Sequence, residues 1–193
     1  MLAIEDLDGL LALVQSSVVE IHPWGSTTSQ LEKPDRLILD LDPGEGVPWS
    51  SMIETAFLVR ERLEAAGLKA FVKTSGGKGL HVVTSIVPRM SWEQAKSFTQ
   101  SIAETLAKEF PDRYVATVAK RARTARIFID YLRNGRGATA VGAYSTRALP
   151  SATVSTPITW GELEKGVRSD HFKLGNLRQR VDFLKEDPWR ELA

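Results

Sequence analysis

Short apolar runs rich in β-branched residues alternate with amphipathic segments, and this alternation most limits the folds open to the chain. The five apolar runs occupy residues 36–42, 70–75, 80–86, 126–132 and 138–144. The segments with apolar residues at helical spacing occupy residues 7–16, 50–67 and 91–110. Strands interleaved with helices predict an α+β or α/β domain with a mixed sheet and helices packed on it.

Local signals refine this prediction. Ser91 precedes the third helical segment, while Ser50 and Gly67 flank the second, as is typical of helix caps. The last two apolar runs follow each other across 134–137, which contains two glycines, so we expect a β-hairpin there. From Thr159 onward the pattern is mostly helical. Without repeats or long linkers, the 193 residues are predicted to form a single domain, 1–193.

Composition excludes several functional classes. The sequence has no cysteine, which rules out thiol catalysis, cysteine-ligated zinc and iron–sulfur clusters, and fits a reducing cytoplasm. No run approaches the roughly 18 apolar residues of a membrane span, and the N-terminus lacks the basic region of a signal peptide. The sequence therefore predicts a cytoplasmic protein without a membrane partner.

Charge is segregated along the chain, although the net charge is only +1. Residues 1–66 hold 4 Lys/Arg and 12 Asp/Glu, whereas residues 113–147 hold 8 Lys/Arg and a single acid, Asp130. A basic stretch of this kind is either a solvated face or a surface that binds phosphates of a nucleic acid. The candidate DNA contacts within it are Lys120, Arg121, Arg123 and Arg126.

Three aspartates stand in or directly after apolar strands. Asp40 and Asp42 are two residues apart, so their side chains leave one face of a strand about 6.5–7 Å apart. At that distance two negative charges repel by about 2.5 kcal/mol at an effective dielectric of 20, and hard divalent cations prefer such oxygen ligands. Asp130 recurs in a second apolar strand. The pattern favours a shared metal site, while each aspartate alone is equally typical of a turn or a helix cap.

A DxD pair at the end of a strand also occurs in phosphatases of the haloacid dehalogenase type. In those enzymes the first aspartate is a nucleophile, a role that would fall to Asp40, and the motif continues as DxDxT. Here Gly44 stands at the position of the threonine. The phosphatase is therefore the less favoured alternative.

The segment Ser75–His81 joins two apolar runs and is rich in glycine. Its glycines permit a positive φ and a close approach of backbone amides to a phosphate, and a lysine supplies a point charge. The spacing is not that of a Walker A loop. The segment predicts a phosphate-binding loop, with a plain glycine turn as the alternative, and its candidate ligands are Ser75, Gly76, Gly77, Lys78, Gly79 and His81.

Together, the motifs HPWGS, LILDLDPG, FVKTSGGKGLHVV, RIFIDYLRNGRGATAVGAYSTRALP and TPITWGEL resemble the polymerase domain of bacterial ATP-dependent DNA ligase D, in the archaeo-eukaryotic primase superfamily. The resemblance implies an α+β primase-like catalytic fold with an RRM-like mixed or antiparallel sheet flanked by helices. It also implies a polymerase-type nucleotidyltransferase that adds ribo- or deoxynucleotides to DNA 3′ ends in non-homologous end joining.

The resemblance assigns roles to individual residues. Asp40, Asp42 and Asp130 would be catalytic and would hold two Mn²⁺ or Mg²⁺ ions. The Ser75–His81 loop and Arg147 would hold the incoming NTP or dNTP, with His22 and Asn134 as secondary contacts. The implied partners are DNA ends, nucleoside triphosphates, Ku and a DNA ligase in the bacterial nucleoid.

In length, the chain departs from the family pattern. The family's domain is usually longer, and this chain is short at its N-terminus relative to it. In relatives the additional part carries the pocket for the 5′-phosphate of a DNA end. A nucleotide-binding remnant without effective polymerase activity is therefore the alternative function.

Overall fold

The computed structural model describes residues 2–192, apart from the side chain of Lys120. The strands are β1 (Arg36–Pro43), β2 (Phe71–Thr74), β3 (Leu80–Ser85), β4 (Tyr114–Val115), β5 (Ile127–Asp130) and β6 (Pro157–Ile158). The α-helices are α1 (Leu7–Gln15), α2 (Trp49–Ala65), α3 (Trp92–Glu109), α4 (Trp160–Glu164) and α5 (Leu174–Phe183). Short 3-10 helices lie at Thr28–Gln30, Lys120–Ala122, Leu132–Asn134 and Arg190–Leu192.

The six strands form one mixed sheet in the order β4-β5-β1-β3-β2-β6. Strands β4 and β5 pair in parallel, and every other neighbouring pair is antiparallel. β1 therefore lies inside the sheet between β5 and β3. The mixed sheet confirms the α+β prediction.

The two faces of the sheet have different surroundings. Leu39 and Leu41 of β1 are completely buried in a core that includes Met52 of α2 and Leu106 of α3. Because side chains alternate along a strand, Asp40 and its neighbours in register project from the opposite face. The helices thus bury one face of β1 and leave the other face for polar groups.

Two of the three predicted helix caps are confirmed. Ser91 Oγ accepts a hydrogen bond from the Gln94 amide at 3.2 Å, and Gln94 Oε1 accepts one from the Ser91 amide at 2.8 Å. Gly67 follows α2 with φ of +77°, a conformation that favours glycine. The predicted cap at Ser50 is wrong, because α2 begins at Trp49 after Pro48, whose fixed φ suits a helix start without a hydroxyl.

The predicted hairpin between residues 126–132 and 138–144 is wrong. Asp130 Oδ1 accepts a hydrogen bond from the Leu132 amide at 2.8 Å, and this turn leads the chain away from the sheet. Residues 138–144 form no strand and run beside residues 21–23, where the Gly142 amide donates to Ile21 O at 2.9 Å. The edge position beside β5 is taken by β4 instead.

The ends of the chain differ in packing. The segment after Thr159 contains α4 and α5, which confirms its helical prediction. In contrast, no residue of α1 is buried, and Leu7 and Val14 are 67% and 60% exposed. Within residues 2–192, no helix has both the length and the apolar character needed to cross a membrane.

Candidate functional site

Asp40, Asp42 and Asp130 meet on the polar face of the sheet. Asp40 lies directly opposite Asp130 in the β1–β5 register, and Asp42 is two residues further along β1. One carboxylate oxygen from each residue lies within 4.8 Å of those from the other two. Asp40 and Asp130 are each only 6% exposed. The three predicted aspartates therefore form one cluster.

This cluster is electrostatically unfavourable without a cation. Burial, and then the charge of Asp42, raise the pKa of Asp40 to about 7. Burial and the charge of Asp130 also raise the pKa of Asp42. A bound cation would favour the ionised carboxylates and draw both values down. Three oxygens within one coordination sphere therefore fit a hard divalent ion such as Mg²⁺ or Mn²⁺.

Arg133 supplies positive charge at this cluster. Its Nε lies 3.3 Å from Asp40 Oδ2 and 3.3 Å from Asp130 Oδ2. Its side chain is 39% exposed, so the guanidinium approaches the buried carboxylates from the solvent side. Arg133 is not among the residues predicted from the sequence, although its place three residues after Asp130 is a signal.

His81 lies next to Asp40 in the β1–β3 register. Its Nε2 is 3.4 Å from Asp40 Oδ1, and its buried Nδ1 has no hydrogen-bond partner among the described residues. Burial, followed by the charge of Lys73, lowers the pKa of His81 well below its usual value. His81 is therefore a neutral imidazole at neutral pH.

The glycine loop is held closed by Ser75. Its Oγ accepts hydrogen bonds from the amides of Gly77 at 3.2 Å and Gly79 at 3.1 Å. These two amides are therefore engaged within the loop, whereas the sequence predicted that they would face a phosphate. Gly79 is required because any Cβ there would overlap Leu41 O. Lys78 forms no ion pair with any residue in the described part of the chain.

A cavity of about 300 Å³ opens between the carboxylate cluster and this loop. It brings together eight of the residues predicted from the sequence, along with three others. Its lining residues are His22, Asp40, Asp42, Ser75, Gly77, Lys78, His81, Arg133, Ala140, Val141 and Arg147.

Arg147 and His22 both line the cavity, and both side chains are hydrogen-bonded to Glu20. Arg147 Nε donates to Glu20 Oε1 at 2.8 Å, and its Nη1 donates to Ser75 O at 2.7 Å. His22 Nε2 lies 2.9 Å from Glu20 Oε2. The hydrogen bonds from His22 and Arg147 lower the pKa of Glu20 to about 2, although burial opposes them. Glu20 is therefore an anion that holds the Arg147 guanidinium and the His22 imidazole at the cavity wall.

Asn134 does not line the cavity, contrary to its predicted role as a nucleotide contact. It is 2% exposed, and its Oδ1 accepts from the Ile38 amide at 2.8 Å. Its Nδ2 donates to Ile38 O at 2.7 Å and to Tyr131 O at 2.8 Å. Because its polar atoms are engaged inside the fold, Asn134 joins β1 to the turn after β5.

The four predicted DNA contacts are divided by the structure. Arg123 lies beside the carboxylate cluster, where its charge opposes the rise in the pKa of Asp42 and its guanidinium lies 3.8 Å from the centre of the Phe128 ring. Arg126 instead donates to Pro111 O at 3.3 Å. Arg121 is exposed. The side chain of Lys120 lies outside the described residues.

A mixed sheet flanked by helices, with a carboxylate cluster beside a glycine loop, is the arrangement expected of a domain of the nucleotidyltransferase type. The model of the LigD primase-polymerase domain family matches residues 1–189. The chain belongs to this family, which confirms the resemblance found in the sequence.

Similar proteins support the assignment. A multifunctional non-homologous end joining protein LigD from Pseudomonas aeruginosa is 41% identical over 194 residues, covering 100% of this chain and 23% of that protein. LigD from Mycobacterium tuberculosis is 34% identical over 169 residues, covering 83% of this chain and 22% of that protein. The chain thus spans about a quarter of these relatives or less.

A solved structure shares the fold. The polymerase domain from Mycobacterium tuberculosis ligase D, solved in complex with DNA, superimposes with a TM-score of 0.89 at 30% sequence identity. The match covers 98% of this chain and 68% of that one. The predicted primase-polymerase fold is therefore confirmed.

Proposed function

We propose that this domain is a metal-dependent nucleotidyltransferase that adds ribo- or deoxynucleotides to DNA 3′ ends in non-homologous end joining. The observation that carries the proposal is the convergence of Asp40, Asp42 and Asp130, whose oxygens lie within 4.8 Å of one another. The cavity beside them is lined by the cationic side chains Lys78 and Arg147. Carboxylates on one side and cations on the other suit a substrate that carries both metal ions and phosphates.

The carboxylate cluster would hold the metal ions. Asp40 and Asp42 would ligate two Mn²⁺ or Mg²⁺ ions, and Asp130 would complete the set. When bound, such ions lower the pKa of an attacking primer 3′-hydroxyl and neutralise charge on the α-phosphate and the leaving pyrophosphate. The raised pKa of Asp40 supports this assignment, since the buried carboxylates need a partner of opposite charge.

The glycine loop and its neighbours would hold the triphosphate. Lys78 lines the cavity without a carboxylate partner in the described chain, so its ammonium is free to meet a phosphate. Arg147 is fixed by Ser75 O and Glu20, which leaves the cation oriented before a nucleotide arrives. His81 is neutral and buried, so it would orient the substrate through a hydrogen bond, without adding charge.

DNA would approach over the basic segment. Arg121 is exposed, and Arg123 lies beside Asp42, so phosphates bound there would lie close to the carboxylates. The similar Mycobacterium tuberculosis domain was solved with DNA, which supports a DNA end as the partner. Ku and a DNA ligase are the further partners we propose, because the similar proteins are named for end joining.

Primer extension tests the proposal directly. Wild-type protein, gapped DNA and nucleoside triphosphates are combined with Mn²⁺ or Mg²⁺, and Asp40→Ala is compared with Asp182→Ala on α5, where the carboxylate is exposed. We expect extension by wild type and Asp182→Ala and its loss in Asp40→Ala. Equal extension by both variants would refute the assignment.

A nucleotide-binding domain without effective polymerase activity is the second candidate. It is favoured by one observation, that the loop residues and cations around the cavity of about 300 Å³ could hold a triphosphate whether or not a DNA end is bound. It predicts calorimetric binding of a nucleoside triphosphate with Mn²⁺ but no extension on any DNA end. The phosphatase alternative is disfavoured, because any Cβ at Gly44 would overlap Arg123 O and the threonine of its motif cannot fit there.

A further inference from the structure

Lys73 is the fourth member of a row of polar residues that crosses four neighbouring strands. In the sheet register Lys73 lies opposite His81, His81 lies opposite Asp40, and Asp40 lies opposite Asp130. Residues in register on adjacent strands project from the same face of a sheet. The row therefore runs from the two carboxylates through the imidazole of His81 and ends at the cationic side chain of Lys73.

The ammonium of Lys73 is buried without a carboxylate partner. The residue is 2% exposed, and Nζ donates to Ser155 Oγ at 2.5 Å. Within residues 2–192 it forms no ion pair, and burial lowers its pKa to about 7 although Asp40 opposes the change. A buried lysine paired only with a hydroxyl is costly as an ammonium, so a negatively charged ligand over the loop would favour the protonated form of Lys73.

Lys73 lies behind the glycine loop and does not line the cavity. Its partner Ser155 backs directly onto the loop, because a Cβ at Gly76 would come within 3.1 Å of Ser155 N. Ser155 Oγ also donates to Thr74 O at 2.9 Å. A ligand over the loop would therefore be separated from the ammonium by protein and not by water, where the effective dielectric is low.

We propose that Lys73 is a specificity-determining residue that makes the cavity prefer triphosphates over monophosphates through its buried charge. The inference deepens the proposed function and rests on it. A point charge behind the loop attracts a ligand in proportion to the ligand's charge, so it favours the more highly charged polyphosphate. Lys78 and Arg147 would contact the phosphates, whereas Lys73 acts without touching them.

Calorimetry with Mn²⁺ and no DNA tests the proposal. ATP, ADP and AMP are titrated into wild type and into Lys73→Met, which keeps an unbranched side chain of similar length but removes the charge. We expect Lys73→Met to lose about tenfold in ATP affinity and less in AMP affinity, so that the ATP/AMP preference shrinks. The variant should remain folded, because removing an unpaired buried charge does not destabilise the protein.

Ser155→Ala is the matched control. It removes the hydrogen bond of Lys73 but leaves the ammonium, so we expect the ATP/AMP preference to stay close to that of wild type. If Ser155→Ala loses the preference as fully as Lys73→Met, the role of Lys73 is structural and the inference is overturned. Lys73→Arg keeps the positive charge, so we expect it to retain most of the ATP/AMP preference that Lys73→Met loses.

The outcomes separate this inference from the proposed function. If wild type binds ATP and Lys73→Met shows an unchanged ATP/AMP preference, the inference about Lys73 fails and the proposed function stands. If wild type binds no ATP in the presence of Mn²⁺, the proposed function fails and the inference falls with it.

Discussion

Arg133 Nε lies 3.3 Å from Asp40 Oδ2, so a guanidinium contacts the buried carboxylate whose pKa is raised by burial and by the charges of Asp42 and Asp130. The same Nε is 3.3 Å from Asp130 Oδ2. Arg133 thus bridges two carboxylates that we assign to metal ions. The guanidinium and a divalent ion would compensate the same negative charge, and each reduces the need for the other.

Replacing Arg133 by glutamine is therefore expected to make the fold more dependent on metal. Arg133→Gln should lower the melting temperature without metal, because the clustered carboxylates lose their nearby cation. Mn²⁺ should then raise the melting temperature of the variant by more than it raises that of wild type. Arg136→Gln is the control, since Arg136 pairs with the exposed Glu32 outside the cluster. Equal Mn²⁺ shifts in wild type and Arg133→Gln would contradict the shared role.

The carboxylate cluster also makes the stability of the metal-free protein depend on pH. The pKa of Asp40 is about 7 in the folded protein and near 3.8 in the unfolded chain, so the folded state holds more protons between these values. Its contribution to stability is therefore present at low pH and is lost as the pH rises towards about 7. Two neighbouring groups act in the opposite direction. His81, whose pKa is lowered well below its usual value, takes up a proton on unfolding at low pH, and Lys73, with a pKa lowered to about 7, begins to lose its proton in the folded state as that pH is approached. Both groups are also present in an Asp40 variant, so a comparison with wild type isolates Asp40.

We therefore expect the free energy of unfolding without metal to fall less between pH 5 and pH 7 in Asp40→Asn than in wild type. Denaturant unfolding at several pH values measures the difference. Mn²⁺ binding should strengthen over the same interval, because ionised carboxylates are the ligands. Identical pH profiles for the two proteins would show that Asp40 does not titrate in this range.

The sequence predicts those site residues whose roles follow from their spacing within a single segment. Asp40 and Asp42 follow from alternation along a strand. Gly79 is predicted as a residue whose amide faces a phosphate, whereas the structure requires it because of the close approach to Leu41 O. Arg133 and Lys73 were missed because their roles depend on register between strands, which spacing along one segment does not contain. Lys73 did carry a signal, since it is a charged residue inside an apolar run, as Asp130 is.

The errors in the fold have the same origin. Residues 138–144 have the composition of a strand, but their backbone pairs partly with residues 21–23, far away in sequence. The resemblance implies that Asn134 contacts the nucleotide, yet its side chain forms hydrogen bonds with the backbone of Ile38 on β1. Hydrogen bonds to residues far away in sequence override the conformational preference of a local segment.

Two glycines provide a test of close packing at the site. A Cβ at Gly79 would overlap Leu41 O, whereas a Cβ at Gly161 in α4 meets nothing within 4 Å. Gly79→Ala should therefore destabilise the protein by about 1–3 kcal/mol, as overpacking typically does, and should reduce primer extension by displacing Lys78. Gly161→Ala should be neutral or stabilising by up to about 1 kcal/mol, because alanine favours a helix. Denaturant unfolding of both variants measures the two changes in stability. Comparable stabilities would disprove the close approach of the Gly79 backbone to Leu41 O.

The basic segment is expected to bind DNA through phosphate contacts that do not depend on sequence. Arg121 is exposed, and no ion pair holds its guanidinium within the described part of the chain, so Arg121→Gln should weaken DNA binding about equally for different sequences. The slope of log affinity against log salt should become shallower by about 1, the value expected for one lost phosphate contact. Arg178→Gln on α5 removes the same charge from a 92% exposed side chain outside the basic segment, and should leave that slope unchanged. Equal changes in the two variants would mean that only net charge matters and that the basic segment is a solvated face.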